Sequence, residues 1–154
     1  MTWTRGPRMN KERRLHGCVS VPSKEDGMSP KVFVIGGTMT PYIGPTISGR
    51  YNMEVLDIGT EKWTEVEVKA SENMHENLYG FPMVASQSSE YLWYSIGGSD
   101  RIINPVIRNF NPVKAIYGLT PSLNFKKVGD LKEAKFDCAV LNLQEKDIPG
   151  CTKF

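Results

Sequence analysis

Val32-Phe33-Val34-Ile35-Gly36-Gly37 and, further along, Leu92-Trp93-Tyr94-Ser95-Ile96-Gly97-Gly98 are two versions of one phrase, an apolar run closed by a glycine pair. The pairs Gly36-Gly37 and Gly97-Gly98 lie 61 positions apart. A fixed internal period takes precedence over local propensity, because it makes every neighbouring motif one member of a series. After each pair come 15 residues of turn-rich sequence, Thr38 to Asn52 and Ser99 to Val113, so the two copies keep step through these connections as well.

Further from the glycine pairs the correspondence continues. Met53 to Asp57 followed by Lys62 to Val66 matches Lys114 to Gly118 followed by Asn124 to Val128. Trp63 and Phe125 are 62 apart, and Trp3 precedes Trp63 by 60. Each of these anchors is followed by a polar stretch and another apolar segment: His16 to Val21, Gly80 to Ala85 and Phe136 to Leu141. The segments are short, rich in Val, Ile, Tyr, Phe and Trp, and bounded by Gly, Pro, Asn, Asp and Ser, which is how strands read. The expectation is one terminal strand, two sets of four and one further strand. Only Glu72 to Leu78 suggests a turn of helix.

Four strands per repeat is the pattern of blades arranged around an axis. Ile35-Gly36-Gly37, Val55-Leu56-Asp57 and Trp63 resemble the kelch repeat, and Trp3, Arg13, His16, Gly17 and Cys18 resemble its passage from one blade into the next. The second copy departs from the pattern at Gly118 and Phe125, which stand where a kelch repeat has Asp and Trp. The resemblance implies an all-β, incomplete kelch-like β-propeller of four-stranded antiparallel blades. Its expected division is residues 1–11 from a preceding blade, 12–70 and 71–132 as two blades, and 133–154 as a following strand with a tail. Propellers close with about four to eight blades, so the missing ones are expected from a longer parent chain or from self-association.

An inner strand sandwiched between blades should be continuously apolar, as Val32 to Ile35 is. Gly36, Gly37, Gly97 and Gly98 are expected to be structural, where a side chain would clash or forbid the backbone angle. They do not continue into a phosphate-binding motif. Trp3, Trp63, Trp93 and Phe125 are expected to be buried between blades.

The formal charge of +2 gives no overall drive toward nucleic acid or anionic membrane. The segment Arg5, Arg8, Lys11, Arg13, Arg14 holds five cations in ten residues, but no aromatic stacking platform accompanies it, so a solvated connection is the expected reading. There is neither a signal-peptide pattern nor a run of about 18 apolar residues, which reads as a soluble and cytoplasmic chain, with a secreted parent as the alternative. Cys18, Cys138 and Cys151 lack zinc-site spacing and read as small buried thiols.

His16 and His75 are the only histidines and have no acidic residue at ligand spacing; His16 reads as structural and His75 as solvated. No nucleophile elbow or metalloprotease motif is present. Neither a cofactor nor a metal is expected. Function is expected in the connections: Met39, Tyr42, Ile43 and Arg50 in the first offer an aromatic and an Arg, residue types enriched at binding hot spots, and Asp100, Arg101, Asn104 and Arg108 in the second provide paired charge. By resemblance to kelch domains of ubiquitin-ligase adaptors, Arg101 and Arg13 become candidate contacts for a protein or peptide. The alternative implied by the same resemblance is a piece of a kelch-type oxidase or sugar-processing enzyme, whose site would draw ligands from blades outside this sequence.

Overall fold

Apolar runs that are β-branched or aromatic and cut short by glycine, proline or aspartate become short strands here. The computed structural model describes residues 2–23, 27–37, 53–70, 79–104, 109–135 and 139, without the side chains of 70, 101–104, 109 and 110. In the first sheet, β1 (Gly17–Val21), β2 (Lys31–Ile35), β3 (Met53–Asp57) and β4 (Lys62–Val66) pair in chain order as an antiparallel meander. After it comes the short strand β5 (Lys69–Ala70).

The second sheet contains β6 (Met83–Ala85), β7 (Trp93–Ile96), β9 (Asn109–Leu119) and β10 (Asn124–Lys135), again antiparallel in chain order. Two strands are added to this meander: β5 lies parallel to the start of β10, and β8 (Ser99–Asn104) pairs with the first part of β9. No helix occurs among the described residues, and none there is long and apolar enough to cross a membrane.

Because side chains alternate along a strand, the register assigns each sheet two faces. One face of the first sheet carries Val19, Phe33, Val55 and Thr64 in a row, next to Gly17, Ile35, Met53 and Val66. It packs on the face of the second sheet formed by Ala85, Trp93, Leu119 and Phe125, with Met83, Ser95 and Tyr117 beside them. Phe33 meets Trp93 at 6.5 Å between ring centroids, and Trp93, Phe125 and Tyr117 form a chain of tilted rings at 5.4 and 5.2 Å. Gly17 lacks the Cβ that would strike the Phe81 ring, so β1 can lie directly against the second sheet. These two faces form one core, the back of the first sheet on the front of the second.

The glycine pairs end equivalent strands in equivalent conformations. Their φ values are 69° and 84° at Gly36 and Gly37, and 64° and 97° at Gly97 and Gly98. A Cβ on Gly37 would stand 2.6 Å from the Arg14 carbonyl oxygen, and one on Gly97 2.6 Å from that of Lys135. Both the angle and the space therefore require glycine.

Several expectations are corrected. The stretch after Gly98 is not all connection: Ser99–Asn104 forms β8, which pairs antiparallel with β9, and the strand expected at Lys114 begins at Asn109. Asn, Asp and Pro made this stretch look turn-like, but its pairing is irregular enough, with register shifts around Ile102, to absorb them. The division after residue 132 falls within β10, which runs to Lys135 through two irregularities. Trp3 is 95% exposed rather than buried. Trp63 is half-buried on the outer strand β4, and Cys18 is an exposed thiol. The suggested helix at 72–78, the strand 136–141 apart from Ala139, and His75, Cys138 and Cys151 lie outside the described residues.

Candidate functional site

Arg13 enters the fold just ahead of β1, and Glu54 stands on β3 between Val34 of β2 and Glu65 of β4. Their side chains are both fully buried and paired, with Arg13 Nε and Nη2 donating to Glu54 Oε1 at 3.1 and 2.9 Å. The third guanidinium nitrogen, Nη1, donates to the Gly36 carbonyl at 3.1 Å. The segment leading to Arg13 completes the arrangement: the backbone N–H groups of Asn10 and Lys11 donate to Glu54 Oε2 and Oε1 at 2.6 and 3.2 Å. Lys11 also pairs with Glu65 at 2.9 Å, and the Trp63 indole N–H donates to the Pro7 carbonyl at 3.1 Å. This is a buried charge pair with its hydrogen bonds supplied, the only form in which burial of two charges is affordable.

Arg13, expected to touch a partner, is therefore enclosed and spent on holding Glu54, the Gly36 turn and the N-terminal segment together. Sequence reasoning missed Glu54. Its one signal was an acidic residue between the apolar Met53 and Val55. His16 lies beside this network with a buried Nδ1 that has no hydrogen-bond partner. Burial, and next the Arg13 charge, pushes its pKa down.

At the same end of the second sheet the ribbon formed by β8 and β9 begins. Ser99 is fully buried; its hydroxyl donates to the Asn111 carbonyl at 2.9 Å and accepts from the Asn111 N–H at 3.0 Å. Its backbone exchanges two 2.9 Å hydrogen bonds with Tyr79. Asp100, half-buried, accepts from Asn111 Nδ2 at 2.8 Å. Arg101 and Asn104 follow in β8, with side chains outside the described residues; Tyr42, Arg50 and Arg108, like Met39 and Ile43, lie wholly outside them. The fold thus brings Asp100, Arg101 and Asn104 onto one short strand anchored at Ser99.

At the opposite end, where β1 and β3 finish, a cleft of about 710 Å³ opens between the sheets. Phe33, Val55, Leu92 and Leu123 are among its apolar walls, and Lys31, Lys62 and Asp57 stand at its rim. Asp57 Oδ1 accepts from Ser29 Oγ at 2.6 Å and from the Thr60 N–H at 3.0 Å, and these bonds, Ser29 first, hold its carboxyl below the usual range. The arrangement suits recognition of shape and charge. Among the described residues no three His, Cys, Asp or Glu side chains gather as a metal site.

No protein-family model matches the sequence, and no curated protein matches it.

Proposed function

We propose that this chain is a kelch-repeat module of a β-propeller that binds another protein or a peptide, with the ribbon of β8 and β9 as its contact element. The observation that carries the reading is the recurrence, 61 residues apart, of a four-stranded antiparallel meander whose second strand ends in a left-handed glycine pair. Such a rigid repeat presents its connections at a fixed place, and the ribbon after Gly98 is anchored at its base by Ser99 and Asn111. Asp100, Arg101 and Asn104 on β8 then meet the partner, and degron-like peptides of the kind recognised by ubiquitin-ligase adaptors are the first class to try.

Selection of phage-displayed peptides on the immobilised chain tests this reading. The expected result is an enriched peptide family whose affinity, measured by calorimetry, falls about tenfold with Arg101→Ala, the usual loss at a moderate hot spot. No enriched family, or binding untouched by Arg101→Ala and Asp100→Ala together, would overturn it.

A further inference from the structure

We propose that the cleft between the sheets, where β1 and β3 finish, binds an amphipathic monocarboxylate such as a medium-chain fatty acid, its alkyl chain on the apolar floor and its carboxylate between Lys31 and Lys62. The register of the first sheet builds this place. On the face turned to the second sheet, Val21, Lys31, Asp57 and Lys62 form the row next to Val19, Phe33, Val55 and Thr64. Exposure rises along both rows toward β4. Phe33 is buried, Val55 half-buried and Thr64 exposed, while Val21 is buried, Lys31 and Asp57 half-buried and Lys62 exposed. The cleft therefore opens toward β4, and Leu92, Pro121 and Leu123 line it from the second sheet. Every residue lining it is among those described.

Polarity is graded from floor to mouth. Phe33, Val55 and Val66 on one side and Leu92 and Leu123 on the other give a floor without a titratable group. At the mouth Lys31 and Lys62 flank Asp57, each directly across from it in the register. Asp57 Oδ1 is already bonded to Ser29 Oγ and the Thr60 N–H. Neither lysine forms an ion pair among the described residues. Two cations beside one carboxylate leave a single positive charge, which complements a monoanion. Met28, 54% exposed at the rim, adds an unbranched thioether of the kind that adapts to an irregular apolar guest.

Both walls are held by backbone hydrogen bonds before any ligand arrives. On the first sheet the Ile58 N–H donates to the Pro30 carbonyl at 3.1 Å. Across from it the N–H groups of Thr120 and Leu123 donate to the carbonyls of Asn124 and Thr120 at 2.9 Å, and the Lys69 N–H to that of Leu123 at 3.1 Å. A preformed cleft of about 710 Å³ with an apolar floor and a few polar groups has the ordinary form of a small-molecule site. The inference goes beyond the peptide-binding reading, because the β8–β9 ribbon stands at the other end of the sheets and either result can fail without the other.

Calorimetric titration of the 154-residue chain with hexanoate, octanoate and decanoate tests the proposal. Affinity should rise about fourfold for each methylene buried, the gain of an alkyl chain leaving water. Decyltrimethylammonium, a cation on the same chain, should bind about tenfold more weakly than decanoate or less, because it meets like charge at the mouth. Lys31→Met with Lys62→Met should weaken decanoate about fivefold, the contribution of two exposed ion pairs. Thr64→Trp, which sets a ring in the cleft from an exposed position, should abolish binding. A further readout uses the unaltered chain. With carbon-13-labelled methionine methyl groups, decanoate should shift the Met28 resonance, identified by its loss in Met28→Leu. No decanoate binding, equal affinity for the ammonium, unchanged affinity in the lysine or Thr64→Trp variants, or an unmoved Met28 resonance would each overturn the proposal.

Discussion

The place on β3 that holds Glu54 in the first sheet holds Tyr117 in the second, and the place on the outer strand that holds Trp63 there holds Phe125. In the second sheet both are fully buried aromatic rings in contact with one another. In the first sheet one is a carboxylate clamped by Arg13 and the N-terminal segment, and the other is a half-exposed indole bonded to the Pro7 carbonyl. The same meander is thus finished in two ways: apolar where a second sheet lies across it, and ionic where only an extended segment does. A segment without a sheet of its own has little apolar surface to offer, but it has free backbone N–H groups, and those are what a carboxylate needs.

The largest effect should come from breaking the ionic solution. Arg13→Ala leaves Glu54 buried and without its cation, which should cost about 3–5 kcal/mol in urea unfolding. Replacing both residues, Arg13→Met with Glu54→Met, should recover most of that loss, because well-packed apolar residues commonly match a buried pair in stability. A double variant as unstable as Arg13→Ala would mean that the pair is not what holds the segment.

Truncating the outer-strand anchors measures the apolar side of the comparison. Phe125→Ala should cost about 3–5 kcal/mol, the usual range for a buried ring. Trp63→Ala should cost less in the same titration, because Trp63 is only half-buried. Equal losses would show that the two anchors are covered to the same extent in solution.

Backbone substitutions sharpen the point within one sheet. Gly97→Ala should lose about 1–3 kcal/mol, since φ is 64° and the new Cβ would meet the Lys135 carbonyl. Gly129→Ala, with nothing within 4 Å, should stay within about 0.5 kcal/mol in chemical denaturation.

The smallest effect is expected from pH. His16 has a lowered pKa in the fold, so the unfolded chain takes up its proton first. Stability is then complete above the unfolded value of about 6.5 and declines as pH falls through it toward the folded pKa. His16→Asn should flatten that part of a stability profile recorded by thermal melts; an unchanged slope would assign the dependence to other groups.

The eight meander strands were legible in the sequence because their signal is local. Apolar runs such as Val32 to Ile35 are bounded by turn formers, and the glycine pairs that close them sit in angles only glycine tolerates well. The recurrence at 61 positions added register between repeats, which a single strand never carries. The candidate site was less legible. Asp100, Arg101 and Asn104 were found by residue type, but β8 was hidden behind residues that usually mark loops, and its pairing with β9 is irregular.

Alternation along β1 to β4 divides apolar from polar faces without saying which face another sheet will cover, and this only the tertiary structure decided. Trp3 and Trp63 had the same local claim to burial as Trp93, yet Trp93 lies between two sheets, Trp63 at the margin of one, and Trp3 beside none. Likewise Arg13 and Glu54, 41 residues apart, show no sign of each other in the chain. Their pairing exists because the N-terminal segment crosses β3 where no water remains to solvate a lone charge, and a charge in that position has to find its opposite.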